Sequence, residues 1–300
     1  MKNKYIRNTV VLTSLIGISS LFYQFTANGT NSVDIRNHAF LPNNMEFGNE
    51  RVPVELIDVK ERLDRELTVN INLHSATSLI IKRANRYFPE IEPILKRNGI
   101  PDDFKYLCVI ESALTNATSS AGAKGFWQFM PETAKEYKLE VSSTVDERYH
   151  VVKATEAACV YLKKAYAKFG NWTLVAAAYN RGMAGIERQV QAQGVTDYYD
   201  MYLNDETSRY VFRILALKEI MNDPDKYGYV FPKDVLYRPI KTKKITIDTN
   251  IDNLQTWALE QGINYKILKL HNPWLIDTTL IVPLGKTYEI EIPTEGYKRK

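Results

Sequence analysis

Pro101-Asp102-Asp103-Phe104-Lys105-Tyr106-Leu107-Cys108-Val109-Ile110-Glu111-Ser112-Ala113-Leu114 is the stretch that decides how this chain is read. Phe104, Leu107 and Cys108 fall at i, i+3 and i+4, the stripe of a helix that lays one face on a core. Asp102 or Asp103 is placed to cap its start. The next inward position, i+7, is Glu111, so a carboxylate stands where the pattern asks for an apolar side chain. Burial disfavours the charged form and raises a carboxyl pKa, and an acid kept protonated near neutral pH is what general-acid chemistry requires. The spacing alone equally allows a Glu111 that is paired to a neighbouring cation or turned out to solvent.

A small-residue loop follows, Thr118-Ser119-Ser120-Ala121-Gly122-Ala123-Lys124-Gly125, and then Phe126-Trp127-Gln128-Phe129-Met130-Pro131. Glycines let backbone come close to a ligand or a neighbouring element. Gln128 offers a donor and an acceptor, Trp127 and Phe129 offer flat apolar faces, and Pro131 suits the first position of a new helix. Read by itself, this is a tight loop between helices. Further on, Trp172, Val175, Ala176 and Tyr179 make another helical stripe, closed by Asn180-Arg181-Gly182. Tyr179 and Asn180 therefore sit at a helix end, where a polar tip reaches a groove or simply packs and caps. Asp205-Glu206-Thr207-Ser208-Arg209-Tyr210-Val211 opens a further helix with Glu206 and Tyr210 one turn apart, by itself an ordinary acidic first turn.

Together and in this order, Glu111-Ser112, Gly122-Ala123-Lys124-Gly125-Phe126-Trp127-Gln128, Ala178-Tyr179-Asn180 and Glu206-Thr207-Ser208-Arg209-Tyr210-Val211 resemble four motifs of one family. That family is the soluble lytic transglycosylase catalytic domain, glycoside hydrolase family 23. The resemblance implies a mainly α, lysozyme-like fold that cleaves the β-1,4 bond between N-acetylmuramic acid and N-acetylglucosamine in peptidoglycan. It implies a single catalytic acid, no water consumed and a 1,6-anhydromuramyl product end. Glu111 matches the acid, and Ser119 matches a serine that contacts it. Gln128, Tyr179, Asn180 and Glu206 match groove residues that bind or orient the sugar, Tyr210 matches the motif tyrosine near the acid, and Met130 lines the groove. No cofactor or metal is implied, and the partner is the peptidoglycan glycan strand. Hydrolytic goose-type lysozymes share the fold and differ by a second carboxylate that activates water; Glu132, Asp146, Glu147 and Glu206 are the acids available for that. A non-catalytic wall-binding protein is the reading from another class, and the intact Glu111 and its motifs argue against it.

Composition sets the frame. The chain has 300 residues, 45% hydrophobic and 25% charged, which excludes collagen-like, low-complexity and wholly disordered classes. Cys108 and Cys159 are too few for a disulfide framework or a Cys-rich zinc site and are read as free buried thiols. His38, His74, His150 and His271 show no metal-ligand spacing. The formal charge is +4, but Lys2, Lys4 and Arg7, with no acid among the first 30 residues, hold three of those charges. The remainder is nearly neutral, which argues against nucleic acid as a partner.

Residues 1–29 run from a basic start through an apolar stretch to Ala27-Asn28-Gly29, the pattern of a signal peptide, with an uncleaved N-terminal membrane anchor as the alternative. Either predicts export to the bacterial periplasm or cell envelope. Membrane-bound members of the resembled family carry a lipid-attachment cysteine, and here none follows the apolar stretch. Residues 30–53 are read as a flexible lead-in, 54–225 as the catalytic domain and 226–300 as a small α+β C-terminal unit. Within the helical part, 75–88 is expected to break at Pro89, and 91–97 to stop at Asn98-Gly99. Beyond the stop Asn222-Asp223-Pro224, the stretches 229–237, 245–248, 279–283 and 286–293 look extended, and 254–261 and 265–271 look helical. This β-helix-helix-β order weakly resembles a lysin motif (LysM), with Asn272-Pro273-Trp274-Leu275 near the place where such modules put an Asn and an apolar residue. Thr249-Asn250 stands where the usual Gly-Asp would be. Glycan binding and a purely structural role both stay open for this unit.

Overall fold

The structure, a computed structural model, describes residues 39–297. The N-terminal address and the first part of the lead-in lie outside the described residues. A short hairpin comes first, β1 (Glu46–Phe47) against β2 (Glu50–Arg51). Eight helices follow: α1 (Ile57–Asn72), α2 (His74–Arg97), α3 (Phe104–Ser112), α4 (Pro131–Glu136), α5 (Val151–Phe169), α6 (Trp172–Arg181), α7 (Met183–Gln193) and α8 (Asp205–Asn222). The C-terminal unit is β3 (Thr242–Ile247), α9 (Leu254–Glu260), α10 (Tyr265–His271) and β4 (Tyr288–Pro293). No helix among the described residues is long and apolar enough to cross a membrane.

The helices form where the stripes place them. α8 is the centre of the body and packs on α1, α3 and α6, with Tyr210, Val211, Ile214, Leu215 and Ile220 buried. α5 presents Ala154, Ala157, Ala158 and Ala165, whose short side chains let α2 and α6 come close. Gly170 stops α5 in the left-handed conformation, and Asn171 then caps α6 by accepting the Leu174 N–H at 2.8 Å.

Several expectations are corrected. Pro89 does not break its helix: α2 runs unbroken through Pro89 and Pro93. The two prolines lie four apart on the exposed face, so the carbonyls they leave unbonded face water. Ile80, Ala84, Ile91, Ile94 and Leu95 bury the other face on both sides of the interruption. Over 39–53 the lead-in is not flexible. Ala39, Met45, Phe47 and Val52 join the core, and the Glu50 carboxylate accepts the Trp172 and Thr173 N–H groups at 2.6 and 3.2 Å. The turn is Gly48-Asn49, both at positive φ, as a two-residue hairpin requires. A Cβ on Gly48 would come within 2.9 Å of Trp172. Asp103 does not cap α3 through its side chain; the carboxylate instead binds Gly48 N–H and Lys218, both at 2.8 Å. The stretch 229–237 contains a single 3-10 turn, Lys233–Val235, and no strand.

In the C-terminal unit β3 and β4 pair antiparallel, from Thr242 opposite Pro293 to Ile247 opposite Tyr288. β4 alternates, with Tyr288, Ile290 and Ile292 turned inward onto Leu254, Leu268, Trp274 and Leu275. Asn253 and Asn264 cap the two short helices. Asn272 is fully buried and exchanges two bonds with the Glu291 backbone, which ties the end of α10 to β4. Val145, from the helical body, belongs to this second core.

Candidate active site

Glu111 lies in the last turn of α3. The helix ends abruptly after it, because Ala113 and Leu114 are both left-handed, at φ 50° and 54°. Two consecutive non-glycine residues in that region are strained, and the burial of Leu114 holds them there. The Glu111 carboxylate accepts a hydrogen bond from the Tyr210 hydroxyl of α8. No salt bridge holds Glu111 among the described residues. Burial pushes its pKa up from the ordinary carboxyl value; the Tyr210 bond and the Arg213 charge pull it back, and Glu206 pushes it up a little more. Tyr179 and Tyr210 are near enough to feel the Glu111 charge, and burial together with that charge drives both phenols far above their usual range.

The loop after α3 is held mostly by its own backbone. Ser119 N–H donates to Ala123 O, Lys124 N–H to Phe129 O and Gly125 N–H to Ala117 O. Gly125 is at φ +78°, and a Cβ there would lie 1.8 Å from the Arg148 carbonyl, so no other residue fits. The Gln128 amide donates to Ala117 O and Gly125 O at 3.1 and 2.8 Å, and so braces the loop. The buried Trp127 donates from its indole to Thr155 at 2.8 Å. Met130, 42% exposed, stands at the start of α4.

Tyr179, near the end of α6, donates to the Trp127 carbonyl at 2.7 Å and so joins that helix to the loop. Asn180 binds Glu206 through Nδ2 at 3.0 Å and accepts from Thr207 at 2.8 Å, which joins α6 to α8. The structure therefore joins Glu111 with Tyr210 and Asn180 with Glu206, with Tyr179 tied to the loop that carries Gln128. It does not bond Ser119 to Glu111: the Ser119 hydroxyl accepts the Ala123 N–H at 3.0 Å and closes its own turn. Sequence reasoning missed Arg213, one turn beyond Tyr210, whose positive charge favours the ionised form of Glu111. It also missed Glu66, buried in α1, which receives Arg209 at 2.7 Å and anchors the start of α8. The i+3 spacing from Tyr210 was the available clue to Arg213; nothing local marked Glu66.

Comparison with known families matches residues 89–201 to the transglycosylase SLT domain and 243–296 to the soluble lytic transglycosylase C-terminal LysM-like domain. The fold is mostly helical and lysozyme-like, followed by a small sheet unit, as the motifs implied. The chain is similar to membrane-bound lytic murein transglycosylase D of Escherichia coli K12, 29% identical over 251 residues, which is 81% of this chain and 52% of that protein. It is also similar to a putative tributyltin chloride resistance protein of an Alteromonas species, 30% identical over 122 residues, 40% of this chain and 59% of that protein. The chain thus spans about half the length of the curated relatives it matches. The solved structure of an inactive mutant of the lytic transglycosylase Slt from Pseudomonas aeruginosa aligns over 50% of this chain and 25% of that one. Its TM-score is 0.37 and its identity 22%. The SLT match ends at 201, before Glu206 and Tyr210; their hydrogen bonds to Asn180 and Glu111 attach α8 to the matched segment.

Proposed function

We propose that this chain is an exported peptidoglycan lytic transglycosylase. It cleaves the β-1,4 bond between N-acetylmuramic acid and N-acetylglucosamine, with Glu111 as acid and then base. The observation that carries the reading is Glu111 itself. Inside an SLT domain, it is a carboxyl whose pKa is raised by burial and whose hydrogen-bond partner is a neutral tyrosine rather than a cation. In the first half-reaction Glu111 gives its proton to the glycosidic oxygen, and the C1–O bond breaks. The substrate's own acetamide supports the cationic C1, as in glycosidases that use one carboxylate. The carboxylate so formed then removes the proton from the muramyl 6-hydroxyl as O6 bonds to C1. Glu111 regains its proton, no water enters, and a 1,6-anhydromuramyl end is released.

Tyr210 holds the carboxylate in place through both halves, and Arg213 supports its charged form between them. Gln128, Tyr179, Asn180, Glu206, Ser119 and Met130 are assigned to the sugar groove. The address in residues 1–29 supports a place in the cell envelope. Mass spectrometry of fragments released from purified peptidoglycan tests the reading, with Glu111→Gln as control. Fragments one water lighter than reducing-end fragments are expected from the wild type and none from the variant. Reducing ends would instead mean a hydrolase with a second acid.

A further inference from the structure

The C-terminal unit is connected to the catalytic loop by an unbroken run of bonds. The Trp274 carbonyl accepts the Asp146 N–H at 2.8 Å, and the Ile276 N–H donates to Thr144 O at 3.0 Å. Between them, Val145 pairs with Leu275 and is fully buried in the C-terminal core. A second anchor lies on Glu140, whose carboxylate takes the Lys286 ammonium and the Tyr288 hydroxyl. Inward from the seam, Asp146 receives Arg148 Nε and Nη2 at 2.8 and 2.7 Å. Arg148 Nη1 then donates to Gly122 O at 3.1 Å and Phe129 O at 3.2 Å. Arg148 is 3% exposed, so water is not at hand to replace these partners if Asp146 moves.

We propose that the C-terminal unit is a positioning element for the active-site loop: its segment 274–276 holds 144–146, and Asp146 and Arg148 pass that placement on to 122–129. This rests on the cleavage reading above. It differs from glycan capture in one consequence. A unit that only gathers glycan affects long strands, whereas a unit that places the loop affects every substrate, including one too short to leave the groove. Val145 acts here through its neighbour Asp146, and Lys286 and Tyr288 act through Glu140, whose carbonyl accepts the Glu147 N–H between Asp146 and Arg148 at 2.8 Å; none of the three is assigned to the sugar groove.

The test uses the full chain, a peptidoglycan tetrasaccharide as substrate, and deuterium uptake of the loop amides of Lys124 and Gly125. Val145→Asp, which sets a carboxylate against the second core, is expected to lower kcat on the tetrasaccharide by about tenfold or more and to speed exchange at 117–130. Val145→Ile is expected to stay within about twofold of wild type, since it keeps the contact. If Val145→Asp does not fold, the double variant Lys286→Ala, Tyr288→Phe decides, with a loss of about threefold and the same direction of exchange. Unchanged tetrasaccharide turnover and unchanged loop exchange in a folded variant overturn the proposal. If the wild type cleaves nothing, the cleavage reading fails, and loop exchange alone decides the coupling.

Discussion

Glu111 and Asp146 are carboxylates in two regions of one body, and their surroundings are opposite. Asp146 meets the Arg148 guanidinium through two hydrogen bonds and accepts the Arg148 N–H as well, with Lys124 at 3.4 Å. Glu111 meets one neutral hydroxyl and no bonded cation. A buried pair is a brace: its charge is spent on its partner, and breaking it strands the other member. A buried acid without such a partner holds its proton to higher pH than an exposed one, which suits it to proton transfer. The difference between the two regions is the difference between a loop's support and its purpose.

The largest effect expected to sharpen this contrast is on activity. Glu111→Gln is expected to lower the cleavage rate about 10³-fold or more while leaving the melting temperature unchanged or slightly higher. Asp146→Ala is expected to act first on stability, costing about 3–5 kcal/mol in a denaturation experiment because Arg148 is left buried and unpaired, and to lower the rate only through the loop that Arg148 holds. Equal destabilisation by the two substitutions would break the comparison.

Tyr210→Phe is a smaller test. It removes the hydrogen bond that holds the Glu111 pKa down, so the basic limb of the pH–rate profile is expected to move to higher pH, with a rate loss of about tenfold. The smallest effect is on stability. The folded pKa of Glu111 is raised above 4.5, so the native state binds more protons than the unfolded one just above that value. The wild type is therefore expected to lose stability relative to Glu111→Gln as pH rises through that window, and to match it below. A gap that widens towards acid pH would contradict the burial of this carboxyl.

The legible parts were local. The stripe Phe104, Leu107, Cys108 located Glu111 because helix periodicity needs no partner to be read. The C-terminal helices, read at 254–261 and 265–271, were legible within a residue or so; the Asn253 and Asn264 caps that start them were not read. Contacts made across the chain were not. Tyr210 reaches Glu111 over 99 residues, and only its motif, not its spacing, pointed there. Arg209 reaches Glu66 over 143 residues with no motif at all on the Glu66 side. Pro89 misled because proline's local penalty was outweighed by burial on the opposite face of α2. Ser119 matches a serine beside the acid, while the bond its hydroxyl makes is local: it accepts the N–H of Ala123, four positions on.

The hairpin at 46–51 has a consequence for how this protein can be divided. Composition suggests a cut near residue 54, where Asn-rich sequence gives way to helix. Yet Glu50 supplies the acceptor for the first amides of α6, the helix that presents Tyr179 and Asn180, 122 positions further on. The heritable module, the piece that recombination or a protein engineer could transplant whole, therefore starts upstream of the first helix. A graft begun at 54 would carry every motif residue and the Asn171 cap, yet leave the Trp172 and Thr173 amides of α6 without their acceptor.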